Sequence, residues 1–222
     1  MISSGKIYAM KELRKDVLID TDQIQNTRIE KEIMKNANHP FLVNLEYVFQ
    51  TTGKIYFVMK FMRGGELYTL LTREKRFPEA RCKFYITQII LALGHLHKGK
   101  IIYRDIKPEN ILLDDDGYLC LTDFGLARFI EEDKKAMSFC GTPEYMAPEI
   151  ITGEGHNRAV DWWSVGILLY EMLVGVPPFY HQNQNTMYKL ITSRVVVFPD
   201  PIKHKITVNE NAKDLISKVT LN

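Results

Sequence analysis

The sequence has no apolar run long enough to cross a bilayer. Its most hydrophobic stretch, VGILLYEMLVGVPPF, is too short, carries Glu171 and holds two prolines, which excludes a spanning helix. The opening residues, MISSGKIYAMKEL, contain no apolar segment of signal-peptide length. Cysteine is scarce. Cys82, Cys120 and Cys140 are odd in number, far apart and never spaced C-x-x-C, which argues against a disulfide scaffold or a zinc site. Charge of one sign is lacking too: the formal net charge is +2 and the basic residues are dispersed, so nothing marks a nucleic-acid-binding arm. Internal repeats and low-complexity tracts are absent. What remains is an ordinary globular composition, 45% hydrophobic and 25% charged, in 222 residues, enough for one large domain or two small lobes. A reducing compartment, cytoplasmic or nuclear, is the expectation.

Along the chain, GKIYAMKEL alternates apolar and polar residues and predicts a strand over Lys6 to Leu13. TDQIQNTRIEKEIMKNAN predicts a helix with Ile29, Ile33 and Met34 facing a core, ended by the His39-Pro40 step. FLVNLEYVFQ and KIYFVMKF read as two strands joined by TTG. Residues 1–59 therefore suggest a small sheet-plus-helix lobe, with MRGGEL at a hinge over 60–65 and a larger, mainly helical lobe over 66–222. In that second part, FPEARCKFYITQIILALGHLHKGK places Tyr85, Ile89, Leu93 and Leu96 at helical spacing before Gly99. ILLDDDGYLCLTD predicts a tight hairpin turning at Asp116-Gly117. DWWSVGILLYEMLVG is apolar nearly all round and predicts a buried helix. The fold class expected is α+β, with two lobes and a cleft between them.

The chemistry is concentrated in IIYRDIKPENILLDDDGYLCLTDFGLAR, residues 101–128. Phosphoryl transfer needs metal ions to neutralise oxygens, an anchor for the phosphates and a base to align the attacking hydroxyl. Asp105 could accept a hydroxyl proton. Asn110 and Asp123 could hold Mg²⁺, and Lys107 could balance charge on the transferred group; a sparse ligand set completed by phosphate oxygens suits Mg²⁺. Read alone, Asp105 and Asp123 are equally capable of serving as helix caps or turn residues.

In order and spacing, these motifs resemble the protein kinases. YRDIKPEN resembles the catalytic loop, DFG the metal loop, APE (Ala147 to Glu149) the end of the activation segment, and YAMK the strand whose lysine pairs with ATP phosphates, here Lys11. HPFLVNL, the tyrosine before Arg104 and SFCGTPEYMAPEI are similar to the AGC serine/threonine kinases, relatives of the cyclic-nucleotide-dependent enzymes. The resemblance implies ATP and Mg²⁺ as cofactors and a bilobal kinase-like fold. It implies Glu30 as the partner of Lys11, although RIEKE by itself reads as a solvated helix face. Met59 would guard the back of the nucleotide pocket, and Lys60, Phe61 and Met62 would offer backbone groups to adenine. Ala9, Leu67 and Leu112 would sandwich the base, with Glu66 and Glu109 near the ribose and the incoming peptide. Met34, Leu45, Tyr103 and Phe124 would stack as a spine.

By the same resemblance, Ser138 is the activating phosphorylation position, served by an upstream kinase, with Arg104 as the bidentate phosphate partner; the plainer reading is a polar loop residue. Glu66, Glu109 and Glu171 match positions that read arginines upstream of the acceptor. Phe139, Pro143 and Met146 would receive the residue after it, and Thr142 with Lys107 suits serine or threonine. Protein substrates with R-x-x-S/T or R-R-x-S/T sites are therefore the expected partners. Cys140 reads as an inert thiol unless its pKa is depressed.

The chain departs from the family pattern at both ends. No G-x-G-x-x-G hairpin precedes Lys11; only Gly5 stands there. NAKDLISKVTLN reads as part of a C-terminal helix, and the arginine that pairs with a buried Glu149 is not reached. A fragment of a longer kinase is the expectation. A catalytically impaired binding module and a weakly active enzyme are the alternatives, because misplacing the phosphates at the ångström scale costs about a hundredfold in rate.

Overall fold

Residues 5–131 and 134–221 are described by a computed structural model. Strand β1 (Tyr8–Arg14) is followed directly by a short helix α1 (Lys15–Asp20) and by helix α2 (Ile24–Asn36). Strands β2 (Leu45–Gln50) and β3 (Lys54–Lys60) complete a three-stranded antiparallel sheet in which β3 lies between β1 and β2. The register sets Ala9 opposite Met59 and Lys11 opposite Phe57. Phe57 is fully buried beneath the sheet, and Ile33 and Met34 of α2 pack into the same core, so the helix faces follow from the 3.6-residue spacing of its apolar positions.

The chain then leaves the sheet. Gly64 allows a close crossing: a Cβ there would sit 2.7 Å from the Asp114 carbonyl oxygen, and its N–H donates to the Leu113 carbonyl at 2.8 Å. The two-residue β4 (Gly65–Glu66) joins β6 (Ile111–Leu113) and β7 (Leu119–Leu121) in a second sheet of order β4-β6-β7. Around it lie α3 (Leu67–Glu74) and α4 (Glu79–Lys98), which precede the short β5 (Ile101–Ile102). β5 pairs with β8 (Arg128–Phe129). Helices α5 (Pro148–Thr152), α6 (Ala159–Val174), α7 (Gln184–Ser193), α8 (Pro201–His204) and α9 (Glu210–Val219) follow.

Helix α6 is buried over nearly its whole length and lies among α4, α9 and the residues before α5. It ends at Gly175, whose φ is +102° and whose missing Cβ would meet the Lys75 carbonyl oxygen at 2.6 Å. Tyr85, Ile89, Leu93 and Leu96 of α4 are buried as their spacing predicts.

Four expectations change. The hairpin after β6 is not a two-residue turn: Asp114 N–H donates to the Tyr118 carbonyl, and the Asp114 carboxylate accepts from the N–H groups of Asp116 and Tyr118, so one Asx-type side chain organises a five-residue loop. The strand expected from Phe41 begins at Leu45, because the backbone of Phe41 and Val43 is hydrogen-bonded to Leu121 of β7. Leu67 is wholly buried in the core, which removes it from the adenine-facing set. Glu149 is half-buried rather than buried. No helix among the described residues is long and apolar enough to cross a membrane.

Candidate active site

Strand alternation decides which way Lys11 points. On β1 the residues flanking it, Met10 and Glu12, are exposed, and Lys11 itself turns inward. Its Nζ lies 2.7 Å from Oε1 of Glu30, which α2 holds almost fully buried, and 3.4 Å from Oδ1 of Asp123. Burial works against the ammonium charge, but Glu30 and then Asp123 outweigh it, so the Lys11 pKa lies above its ordinary value. Burial also pushes the Glu30 carboxyl above its ordinary value, against the pull of the Lys11 ammonium. Glu30 is thus no solvated helix face, the plainer of its two sequence readings.

The loop after β5 carries the next group. Its backbone is pinned by Asp161, a fully buried carboxylate on α6. One oxygen of Asp161 accepts from the Arg104 N–H at 2.7 Å; the other accepts from the Tyr103 N–H at 2.9 Å and lies 2.8 Å from His97 Nε2. This clamp holds Arg104 at φ +68°, a left-handed conformation that costs a non-glycine residue on the order of 1–3 kcal/mol. Asp105 follows. Its Oδ1 accepts from the Thr142 hydroxyl at 2.9 Å, and its Oδ2 accepts from Asn110 Nδ2 at 2.7 Å and lies 3.0 Å from Lys107 Nζ. Lys107 also donates to Thr142 at 2.9 Å. Pro108 starts a single 3₁₀ turn, Pro108–Asn110, that swings Asn110 back onto Asp105.

The Asn110 carbonyl accepts from Thr122 N–H at 2.9 Å, which ties this loop to the segment carrying Asp123. Asp123 is also left-handed, at φ +53°, and its Oδ1 accepts from the Gly125 N–H at 3.1 Å. Phe124 beside it is fully buried, edge-to-face with Tyr103 at 5.5 Å between centroids. Met34 is buried in the same core and Leu45 packs against it.

No group of three or more His, Cys, Asp or Glu side chains among the described residues is arranged to hold a metal ion by itself. The donor chemistry still fits Mg²⁺: Asp123 keeps a half-exposed carboxylate facing Lys11, and Asn110 uses its amide nitrogen on Asp105, leaving the oxygen for a cation. One carboxylate and one amide oxygen completed by phosphate oxygens is a normal Mg²⁺ set.

Of the residues expected to face a nucleotide, Ala9, Met59 and Leu112 are half-buried, Met62 is buried, and Lys60 and Phe61 are exposed. The Lys60 side chain points toward Asp114, 3.7 Å away. Of the residues expected to meet a peptide, Glu66 and Glu109 are exposed and make no ion pair among the described residues. Glu171 is capped on one oxygen by the hydroxyl of buried Tyr145. Burial, together with the neighbouring carboxylates of Glu109 and Glu144, pushes its pKa up to about 7 despite the Tyr145 bond. Phe139 is 61% exposed, Pro143 half-buried, and Met146 is 2% exposed, so Met146 belongs to the core rather than to an open pocket lining. Tyr188 of α7 links them: its ring meets Phe139 edge-to-face at 6.0 Å, and its hydroxyl reaches the Met146 sulfur at 4.0 Å.

Arg104 faces the segment between Asp123 and Glu149. It donates to the Leu126 carbonyl through Nε and Nη2, and through Nη1 to the Ser138 hydroxyl at 2.5 Å. Arg128 of β8 donates to the Asn26 side chain on α2. The structure thus gathers Lys11, Glu30 and Asp123 in one contact group and Asp105, Lys107 and Asn110 in another, joined by the backbone bond from Thr122 to Asn110. Asp161, His97, Tyr145, Tyr188 and His156 were missed. A lone acid in the apolar run AVDWWSVG was the one usable signal for Asp161.

Residues 1–221 match the family model described as "Protein kinase domain". Among curated relatives, "Protein kinase 2" of Dictyostelium discoideum is 56% identical over 194 residues, 87% of this chain and 40% of that protein. The "RAC family serine/threonine-protein kinase homolog" of the same organism is 48% identical over 198 residues, 88% of this chain and 45% of that protein. Human "Ribosomal protein S6 kinase alpha-1" is 49% identical over 197 residues, 88% of this chain and 27% of that protein. The chain therefore spans less than half the length of each of these relatives. A match over nearly the whole chain, together with the site geometry, places this chain in the protein kinase domain family, on its AGC serine/threonine branch.

Proposed function

We propose that this chain carries a serine/threonine protein kinase site that moves the γ-phosphoryl group of Mg²⁺-bound ATP to hydroxyls in arginine-rich sequences. The observation that carries this reading is the position of Lys11 Nζ, 2.7 Å from Glu30 and 3.4 Å from Asp123, which joins a phosphate anchor and a metal holder from segments 112 residues apart. Lys11 holds phosphate oxygens, kept charged by Glu30. Asn110 and Asp123 hold Mg²⁺, which when bound neutralises charge on the phosphate oxygens. Asp105 orients the incoming hydroxyl and accepts its proton. Thr142, Asn110 and Lys107 occupy three of roughly four lone-pair positions on that carboxylate, leaving one for the substrate. Lys107 sits where it can balance charge on the group in transit.

Glu66, Glu109 and Glu171 supply carboxylates for bidentate pairing with arginines before the acceptor. Phe139, with Pro143 and Tyr188, offers apolar surface to the residue after it. Phosphorylation of Ser138 by an upstream kinase orders the segment through Arg104. A cytoplasmic or nuclear location accompanies this reading, since the three cysteines are unpaired thiols that a reducing compartment preserves.

Transfer of label from γ-labelled ATP with Mg²⁺ to a peptide array tests it, using this chain with phosphoserine encoded at 138. Label on serine or threonine in R-x-x-S/T and R-R-x-S/T peptides is expected. Preference for acidic or proline-directed peptides would overturn the specificity. Stabilisation by Mg·ATP without any transfer would replace the enzyme by a binding module.

A further inference from the structure

GEGHNRAVDWW places a histidine just before the buried helix α6, and nothing in the phosphoryl-transfer site uses it. His156 is 2% exposed. Its backbone pairs in both directions with Ala136 of the activation segment, N–H to carbonyl at 2.9 and 2.8 Å. Its Nε2 lies 3.4 Å from Arg104 Nη1, and that same Nη1 donates to the Ser138 hydroxyl. Imidazole nitrogen and serine oxygen are therefore no more than about 6 Å apart, bridged by one guanidinium nitrogen. Beside Ser138 and Arg104 opens a cavity of about 620 Å³, lined also by Lys100, Arg128 and Lys134 and by Glu131, which pairs with Lys134; His156 lies behind Arg104 and does not line it.

We propose that His156 is part of the receptor for a phosphate on Ser138, a positioning residue that takes up a proton when the phosphate arrives. This rests on Ser138 as the phosphorylated position.

Without phosphate, burial and then the Arg104 charge hold the His156 pKa below its ordinary value, against a weaker pull from Asp161. Asp161 is itself engaged by His97 and two backbone N–H groups. From the activation segment, the Lys135 ammonium lies on the Glu154 carbonyl, and Cys140 Sγ lies 3.6 Å from the Ser138 hydroxyl. At neutral pH the ring is therefore uncharged and can accept from Arg104. A phosphate dianion reverses the balance. It pairs with Arg104, relieves the cation–cation repulsion and favours imidazolium. The proton comes from solvent, or from the phosphate monoanion as its second ionisation, near pH 6, is pulled down. Acid then acts oppositely on the two forms. It loosens Arg104 from the unmodified serine and tightens the modified one.

The test titrates the His156 Cε1–H resonance, assigned against His156→Asn, in the full chain with serine or encoded phosphoserine at 138. The expected result is a midpoint below the ordinary histidine value with serine. With phosphoserine it rises by about one unit or more, the size an opposite charge within about 4–6 Å produces. The ³¹P titration of phosphoserine should be displaced to lower pH in the native chain relative to His156→Asn. A His156 midpoint that does not move on phosphorylation overturns the proposal; so does a ³¹P curve that is the same in both chains. The titration of the native chain decides the matter even if His156→Asn does not fold. A shifted midpoint without any gain in phosphotransfer would leave the receptor standing and sink only the activating role given to Ser138.

Discussion

Glu171 changes charge within the pH range where a peptide substrate would be assayed, because its carboxyl titrates at about 7. Its folded pKa is raised, so it is neutral below that pH and anionic above it. Guanidinium pairs with the anion. KM for an arginine-bearing peptide should therefore fall as pH rises through about 7, with little change for a peptide whose arginines are replaced by alanine. Steady-state kinetics across this range checks it, and Glu171→Gln should abolish the pH dependence while leaving kcat near its original value. Lys11→Met is different in kind. It removes the proposed phosphate anchor and leaves Glu30 buried without its cation, and kcat should drop on the order of 10²–10³-fold with an unchanged circular dichroism spectrum. At this scale the sequence was most readable where the chemistry is contiguous: Asp105, Lys107 and Asn110 lie within six residues and meet in space. It was least readable where a partner sits far along the chain. Asp161 clamps a loop 57–58 residues away, and His156 approaches Arg104 across 52. No local periodicity announces such contacts.

Helix α6 is the element on which the site depends. It supplies Asp161 at one end, Glu171 near the other, and a core face between them. Asp161→Ala would strip the acceptor from two buried backbone N–H groups, each costing roughly 1–3 kcal/mol when unsatisfied. Chemical denaturation should report a loss of about 3 kcal/mol or more, far above the effect of an exposed substitution such as Asp214→Ala. Gly175→Ala should also destabilise, by at least about 1 kcal/mol, since a positive φ penalises any side chain and the Lys75 carbonyl occupies the Cβ position. Helices α4 and α6 were legible because long apolar patterns leave no alternative. Helix α1 was not: it follows β1 without a break, has no side-chain cap and buries no residue. The turn after β6 was misread because Asp116-Gly117 is the familiar hairpin signal, whereas the Asp114 carboxylate does the organising.

Across the whole molecule, the sheet of β1, β2 and β3 and the helical part after it share one buried core and are bridged by polar bonds between distant segments. Lys11 reaches Asp123, Arg128 reaches Asn26, and the Phe41–Val43 backbone bonds Leu121. The α+β fold class was readable from the strand patterns before MRGGEL and the helical patterns after it. The bridging bonds were not, since each joins distant segments. A ligand bound between the parts stabilises the folded state by mass action. Mg·ATP should raise the melting temperature in proportion to the logarithm of its concentration, more than ATP with chelator does, and Asp123→Asn should remove most of that difference.

The rate of γ-phosphoryl transfer to an R-R-x-S peptide, compared between the native chain and Asp105→Asn with phosphoserine encoded at 138 in both, bears most directly on the proposed site. The expected result is Mg²⁺-dependent transfer by the native chain and a loss of about 10²–10⁴-fold in the variant, with the melting temperature nearly unchanged. Equal rates in two folded proteins, or no transfer above background by the native chain, would contradict the assignment of these residues as a phosphotransfer site.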